Sequence, residues 1–139
     1  MGLSISFFVE TTPVPKGRPR FRSMGKFVQT YTPTKTRDYE SLIAEQAKIA
    51  MGGTEPLQTP LTVYLYFTLP IPQSTTKRAK NALLGAIHTK KPDIDNLIKA
   101  VLDGMDKIVF ISDGQIGNIH ASKRYGTVGR VDILVQEAI

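Results

Sequence analysis

Leu61-Thr62-Val63-Tyr64-Leu65-Tyr66-Phe67-Thr68-Leu69 carries a large apolar side chain at every second position, with Thr62, Tyr64, Tyr66 and Thr68 between them. Successive side chains of a strand point to opposite faces, so this stretch has one wholly apolar face and one mixed face. Its β-branched and aromatic residues suit a pleated surface, which makes it the clearest strand in the chain. Pro70-Ile71-Pro72 ends it.

Reading outward from that strand gives the remaining order. Upstream, Tyr39, Leu42, Ile43, Ala47 and Ala50 share one helical face between Thr36 and about Met51, and Gly52-Gly53 stops the pattern. Further upstream, Leu3 to Val9 reads as an opening strand closed by Pro13 and Pro15, and 18–31 reads as a basic hairpin turning at Met24-Gly25. Downstream, Ser74 or Thr75 caps a short basic helix through Leu84, broken at Gly85. A second amphipathic helix is predicted from about Asp95 to Met105, with Leu97, Ile98, Val101, Leu102 and Met105 on its core face. Its opposite side bears Asp95, Lys99, Asp103 and Asp106. Gln115 to Arg124 and Arg130 to Gln136 read as two closing strands joined at 125–129. The order β, basic hairpin, α, β, α, α, β, β predicts an α+β fold, a mixed β-sheet with helices packed on one side. One domain over residues 1–139 is expected from the length and the 41% apolar content.

The charge pattern narrows the partner. The chain has a formal net charge of +6, and seven Lys or Arg residues with no acid lie between Thr11 and Arg37. Long-range attraction of that sign favours nucleic acid or an anionic membrane surface. No run approaches the roughly 20 apolar residues of a membrane span, and no signal-peptide pattern opens the chain, so a cytoplasmic protein is expected. Cysteine is absent, which excludes disulfides, thiolate zinc sites and cysteine nucleophiles. Any metal must be held mainly by oxygen.

Oxygen ligands of the right kind stand at 93–99, Asp-Ile-Asp-Asn-Leu-Ile-Lys. Asp93 and Asp95, at i and i+2 on a loop-to-helix junction, converge if the loop turns, and Asp113 just beyond the following helix can be a third ligand. Magnesium takes only a couple of protein carboxylates, with water and phosphate oxygens completing its shell. Each residue also has a plainer reading. Asp95 serves as a helix N-cap, Asp93 as an acid near a helix amino terminus, and Asp113-Gly114 as a turn dipeptide. Asp103 and Asp106 read as solvated helix residues. Lys99, four residues after Asp95, reads either as a surface ion pair or as a cation facing phosphate. His88 reads as a loop histidine without chemistry, and His120 as a structural strand residue.

Lys91-Pro-Asp-Ile-Asp-Asn-Leu-Ile-Lys-Ala-Val-Leu-Asp-Gly104, followed by Ile111-Ser-Asp-Gly-Gln-Ile116, closely resembles the signature of RusA-type Holliday junction resolvases. Pro13-Val-Pro-Lys-Gly-Arg-Pro-Arg-Phe-Arg22 also resembles the family's amino-terminal region, and the likeness extends over essentially the whole chain. It implies a homodimer that binds four-way junctions and branched DNA and makes paired symmetric nicks with Mg2+, for which Mn2+ can substitute. No membrane and no organic cofactor are implied. Asp93, Asp95 and Asp113 match the family's catalytic, metal-binding aspartates, and Lys99 matches its essential lysine. A fixed cation there acts where negative charge develops. Asn96 matches a motif asparagine that orients the loop or a carboxylate. In one departure, some members carry two successive acids where this chain has Ser112-Asp113, so the third acidic position rests on Asp113 alone.

The basic segments then acquire a use. Lys16, Arg18, Arg20 and Arg22 alternate with Gly17, Pro19 and Phe21, so an extended segment sends the charges to one side, where they can track phosphates. Phe21 or Phe27 can stack on DNA. Lys91 is a further candidate contact, with Lys77, Arg78, Lys80 and Lys90. The leading expectation is a bacterial or phage-encoded, metal-dependent endodeoxyribonuclease for branched DNA. The competing ones are a junction-binding protein that has lost cleavage, and a metal nuclease for another branched DNA or RNA.

Overall fold

The computed structural model describes residues 2–17 and 34–138, together with the backbone of 20–24 and 27–31. The central strand is the alternating stretch itself, β4 (Leu61–Pro70), with Leu61, Val63, Leu65, Phe67 and Leu69 all buried. Burial of such side chains contributes about 1.5–3 kcal/mol each, so this one strand supplies a large share of the core. On its two sides lie β6 (Arg130–Glu137), antiparallel, and β5 (Ile116–Gly126), parallel. The strand β1 (Ser4–Val9) pairs antiparallel with β6, which gives the order β1-β6-β4-β5.

The two closing strands therefore do not pair with each other. Their short connection crosses the end of β4, and space is tight there: a Cβ on Gly129 would come within 2.5 Å of the Thr12 backbone. Periodicity locates strands but does not assign their neighbours, and β4, with its wholly apolar face, takes the central place between them.

Val9, Val131, Ile133 and Val135 lie buried with the apolar side of β4, and two helices cover that face. Helix α1 (Thr34–Met51) buries Thr36, Tyr39, Ile43, Ala47 and Met51 and ends at Gly52 and Gly53, both at positive φ. Leu42, placed on the core face by the sequence pattern, is 42% exposed because it lies on the margin of that stripe. A short helix, α2 (Lys77–Leu83), is capped by Thr76 rather than Ser74 or Thr75, its hydroxyl accepting from the Ala79 amide. It buries nothing. Helix α3 (Ile94–Met105) buries Leu97, Ala100, Val101, Leu102 and Met105. The predicted basic hairpin is present as β2 (Arg20–Met24) and β3 (Phe27–Tyr31), paired antiparallel. Among the described residues the molecule is thus α+β, with a mixed four-stranded sheet, a two-stranded ribbon and three α-helices. None of these helices is long and apolar enough to cross a membrane.

Candidate active site

Helix α3 begins one residue earlier than its apolar spacing suggests, and this decides the roles of the first two aspartates. Asp93, not Asp95, holds the N-cap position, and its side chain makes no capping hydrogen bond. Lys91 Nζ donates to Asp93 Oδ2 at 2.8 Å, and the carboxylate is about half exposed. That hydrogen bond holds the Asp93 carboxyl below its usual range, against some burial and with help from the charges of Lys91 and Lys123. Asp95 follows in the first turn, exposed to solvent.

The loop leading into Asp93 is held from β5. Lys123 Nζ donates to the carbonyls of Lys90 and Pro92, each at 2.7 Å. His88, at the start of the same loop, is buried with its ring against Tyr125 at 4.6 Å, and its backbone amide donates to the Lys123 carbonyl. Burial, then the charge of Lys123, push the His88 imidazole below its ordinary pKa. His120 lies on the other side of β5, exposed and stacked on Tyr64.

Asp113 opens a 3-10 turn (Asp113–Gln115) whose shape is fixed locally. The Ser112 hydroxyl accepts from the Gly114 amide, and Gln115 Oε1 accepts from the amides of Ile111 and Ser112 at 2.9 Å. The Gln115 side-chain amide then donates to the carbonyls of Leu57 and Thr59, which ties the turn to the segment entering β4. Phe110, fully buried, anchors the chain just before it.

Lys99 joins these elements. Its ammonium lies 2.9 Å from Asp103 Oδ1 and 3.7 Å from Asp113 Oδ2. The pairing with Asp95 suggested by their spacing is replaced by one with Asp103, one turn further along α3. Asp103 is not a solvated residue: it is 24% exposed and its other oxygen meets Lys16 Nζ at 2.9 Å. Lys16 also contacts Glu40 Oε2 at 2.7 Å. Its position between two carboxylates corrects the expectation that it extends toward phosphates with the basic segment. The hydrogen bond to Asp103 raises the Lys99 pKa, with the charges of Asp103 and Asp113 in support and burial opposing. Burial pushes the Asp103 carboxyl up, yet hydrogen bonds from Lys99 and Lys16 outweigh it and hold the group low. Asp106 is engaged instead with Lys107, at 3.9 Å.

Asn96 is exposed on α3, and its carbonyl accepts from the Lys16 amide at 2.9 Å. An open groove of about 440 Å³ borders Asp93 and is lined by Pro13, Pro15, Leu69 and Pro92 together with Asn96, Lys35 and Lys91. Arg18 and the side chains of Arg20, Arg22, Phe21 and Phe27 lie outside the described residues. Lys77, Arg78 and Lys90 are exposed. Sequence reasoning missed Glu40, Lys123 and Gln115, because each acts across a tertiary contact that no local spacing announces.

Among the described residues, no three His, Cys, Asp or Glu side chains form a group that could hold a metal ion. The donors themselves nevertheless suit a hard divalent cation. Asp93 and Asp113 are half-exposed carboxylates, each with a lysine ammonium beside it. Mg2+ requires only one or two protein carboxylates, the rest of its shell being water and phosphate.

The family model for endodeoxyribonuclease RusA matches residues 10–136. An uncharacterised protein of Bacillus subtilis (strain 168), YqaN, is 31% identical over 140 residues, covering 96% of each chain. The match takes in β4, β5 and nearly all of β6, both core helices, the 93–99 motif and the Asp113 turn, and the chain belongs to the RusA endodeoxyribonuclease family.

Proposed function

We propose that this protein is a metal-dependent, structure-specific endodeoxyribonuclease that resolves Holliday junctions and other branched DNA by paired symmetric nicks, acting as a homodimer in the bacterial cytoplasm, in recombination, repair or phage replication. The observation that carries this reading is Lys99, a half-exposed ammonium midway along the helix that follows Asp93, held between Asp103 and Asp113. A cation so placed can meet the oxygens of a scissile phosphate as charge develops on them. Asp93, Asp95 and Asp113 would hold Mg2+ or Mn2+, which supplies Lewis-acid polarisation of the phosphate and activation of water when bound. Lys91 beside Asp93 and the arginines of 18–22 would position the strand through its backbone without reading its sequence. Two nicks related by symmetry across a four-way junction are most simply made by two sites on a twofold axis.

A second reading, junction binding with little cleavage, is favoured by one feature. The carboxylates of Asp93 and Asp113 are engaged by lysines, and three acids do not converge. One experiment separates the two. Synthetic four-way junctions, flaps, duplexes and RNA hairpins are incubated with the wild-type protein and with Asp93→Asn, Asp95→Asn and Asp113→Asn, in Mg2+, Mn2+ or Ca2+. Junction cleavage in Mg2+ or Mn2+ that each substitution abolishes, with gel-shift affinity retained, supports the nuclease. Tight junction binding without cleavage in any metal supports the alternative, and preferred cleavage of flaps or RNA redirects the substrate. Light scattering should give a mass near 31 kDa, twice 15.4 kDa. A monomer with full activity would remove the dimer from the reading.

A further inference from the structure

Glu40, Lys16, Asp103, Lys99 and Asp113 form a row of alternating charge that spans α1, the segment before β2, α3 and the Asp113 turn, with successive contacts of 2.7, 2.9, 2.9 and 3.7 Å. Its two ends differ. Glu40, Lys16 and Asp103 are 19–24% exposed, whereas Lys99 and Asp113 are each 51% exposed. The inner end is packed and the outer end is open.

The inner end is also anchored through the backbone. The Lys16 amide donates to the Asn96 carbonyl at 2.9 Å. Pro15 and Gly17, on either side of it, are both bound to the hydroxyl of Thr36, which is 2% exposed on α1. Thr36 and Glu40 are one helical turn apart, so the same face of α1 holds the main chain at Lys16 and the ammonium at its tip. A cation held at both ends is a rigid partner for Asp103.

Rigidity at Asp103 matters because lysine is a flexible stem with a point charge, whose position depends on what it binds. Asp103 with one oxygen on Lys16 and the other on Lys99 cannot rotate without breaking a contact. It therefore fixes Lys99 in the direction of Asp113. Lys16 has a second effect, since it shares the charge of Asp103 that would otherwise act on Lys99 alone.

We propose that Lys16 and Glu40 are positioning residues for phosphodiester cleavage: Glu40 holds Lys16, Lys16 fixes Asp103, and Asp103 aims Lys99 at the phosphate beside Asp113. The proposal rests on the reading of Lys99 as the phosphate-facing cation. It assigns Lys16 a role different from backbone tracking, the use its neighbours Arg18, Arg20 and Arg22 suggest.

The test uses the full chain as wild type, Lys16→Met, Lys16→Arg, Glu40→Gln and the double variant Lys16→Met/Glu40→Gln. Single-turnover cleavage of a four-way junction is measured at saturating protein in Mg2+, junction affinity in Ca2+ over a salt series, and thermal melting separately. A misplacement of about an ångström at a reacting centre costs on the order of 100-fold, so Lys16→Met is expected to slow cleavage about 10- to 100-fold. Junction affinity and its salt slope should stay as in the wild type. Lys16→Arg should recover most of the rate, because its fork can still engage both carboxylates. The double variant should be no slower than Lys16→Met, since both changes break one unit.

A wild-type rate in Lys16→Met with a salt slope reduced by about one unit would show a phosphate contact and overturn the proposal. A wild-type rate with only a lower melting temperature would show a helix clamp and overturn it equally. If Lys16→Met does not fold, Glu40→Gln decides alone, and an unchanged rate there sinks the idea. Failure of the nuclease reading is visible separately. A wild-type protein that cleaves no branched DNA in Mg2+ or Mn2+ removes that reading and this proposal together, whereas an active wild type with equally active variants removes this proposal only.

Discussion

Lys123 Nζ lies 2.7 Å from the carbonyl oxygen of Pro92, the residue immediately before Asp93. It also holds the Lys90 carbonyl at the same distance, so one ammonium on β5 closes the loop that presents the first aspartate. Lys123→Met keeps the stem and removes both hydrogen bonds. Because partners behind a metal ligand typically change affinity by about 10–100-fold, the Mg2+ or Mn2+ concentration for half-maximal cleavage should rise about tenfold. Loss of charge-assisted hydrogen bonds should cost about 1.5–3 kcal/mol of stability. An unchanged metal dependence would show that Asp93 is held without Lys123.

Gly104 offers a test of the helix crossing that places Glu40 near Asp103. A Cβ there would lie 2.7 Å from the Ile43 Cβ and 3.0 Å from the Glu40 carbonyl oxygen. No real contact tolerates the first distance, so Gly104→Ala must push α1 and α3 apart, even though alanine is ordinarily the better helix former. Overpacking of this kind costs about 1–3 kcal/mol. Cleavage should fall as well, since the shift moves Glu40 away from the helix that carries Asp103, and Lys16 bridges the two. A melting temperature at or above wild type would show that the crossing adapts freely.

The parts of this fold that could be read from the sequence are those governed by local period. The alternation from Leu61 to Leu69, the apolar stripe of α3 and the Gly52-Gly53 stop all appear as expected, because strand and helix geometry act residue by residue. What was hidden depends on partners distant in sequence. Lys16 reads as one of four alternating cations, and only the meeting of its loop with Glu40 and Asp103 takes it out of that series. Gln115, an ordinary turn residue by composition, spans 58 positions to reach Leu57. Asp103 stood four residues from Lys99, but so did Asp95, and the spacing gave no preference between them.

Glu137 gives the fold a dependence on acid. One oxygen accepts from the Leu3 amide at 2.7 Å and the other from the Thr59 hydroxyl, which ties the end of β6 to the chain before β1 and before β4. The Leu3 amide first, then Thr59, lower its pKa from the usual 4.5 despite some burial. A carboxyl lowered on folding contributes stability that is fully present above its unfolded pKa and is lost as pH falls through its folded one. Wild type should therefore exceed Glu137→Gln in melting temperature above about pH 5, and the two should converge as the pH falls below the ordinary carboxylate range. Melting curves that stay parallel across this range would show that the charge is irrelevant and only shape matters.

The last expectation concerns Arg18, Arg20 and Arg22, now without Lys16. Arg20 and Arg22 both belong to β2. The basic segment follows Gly17 in sequence, and the Gly17 amide is bound to Thr36 beside the Lys16 network. Charges so near the Lys16 network in sequence can contact a phosphate backbone, and each phosphate they neutralise releases counterions. Replacing all three arginines with glutamine should flatten the slope of log affinity against log salt by about two to three units. The loss should be similar for junctions of different sequence, because phosphate contacts position without specifying. Single-turnover cleavage at saturating protein should change little, the reverse of the pattern expected for Lys16→Met. An unchanged slope would move the DNA-binding face to Lys77, Arg78, Lys80, Lys90 and Lys91, the last of which lines the groove that borders Asp93.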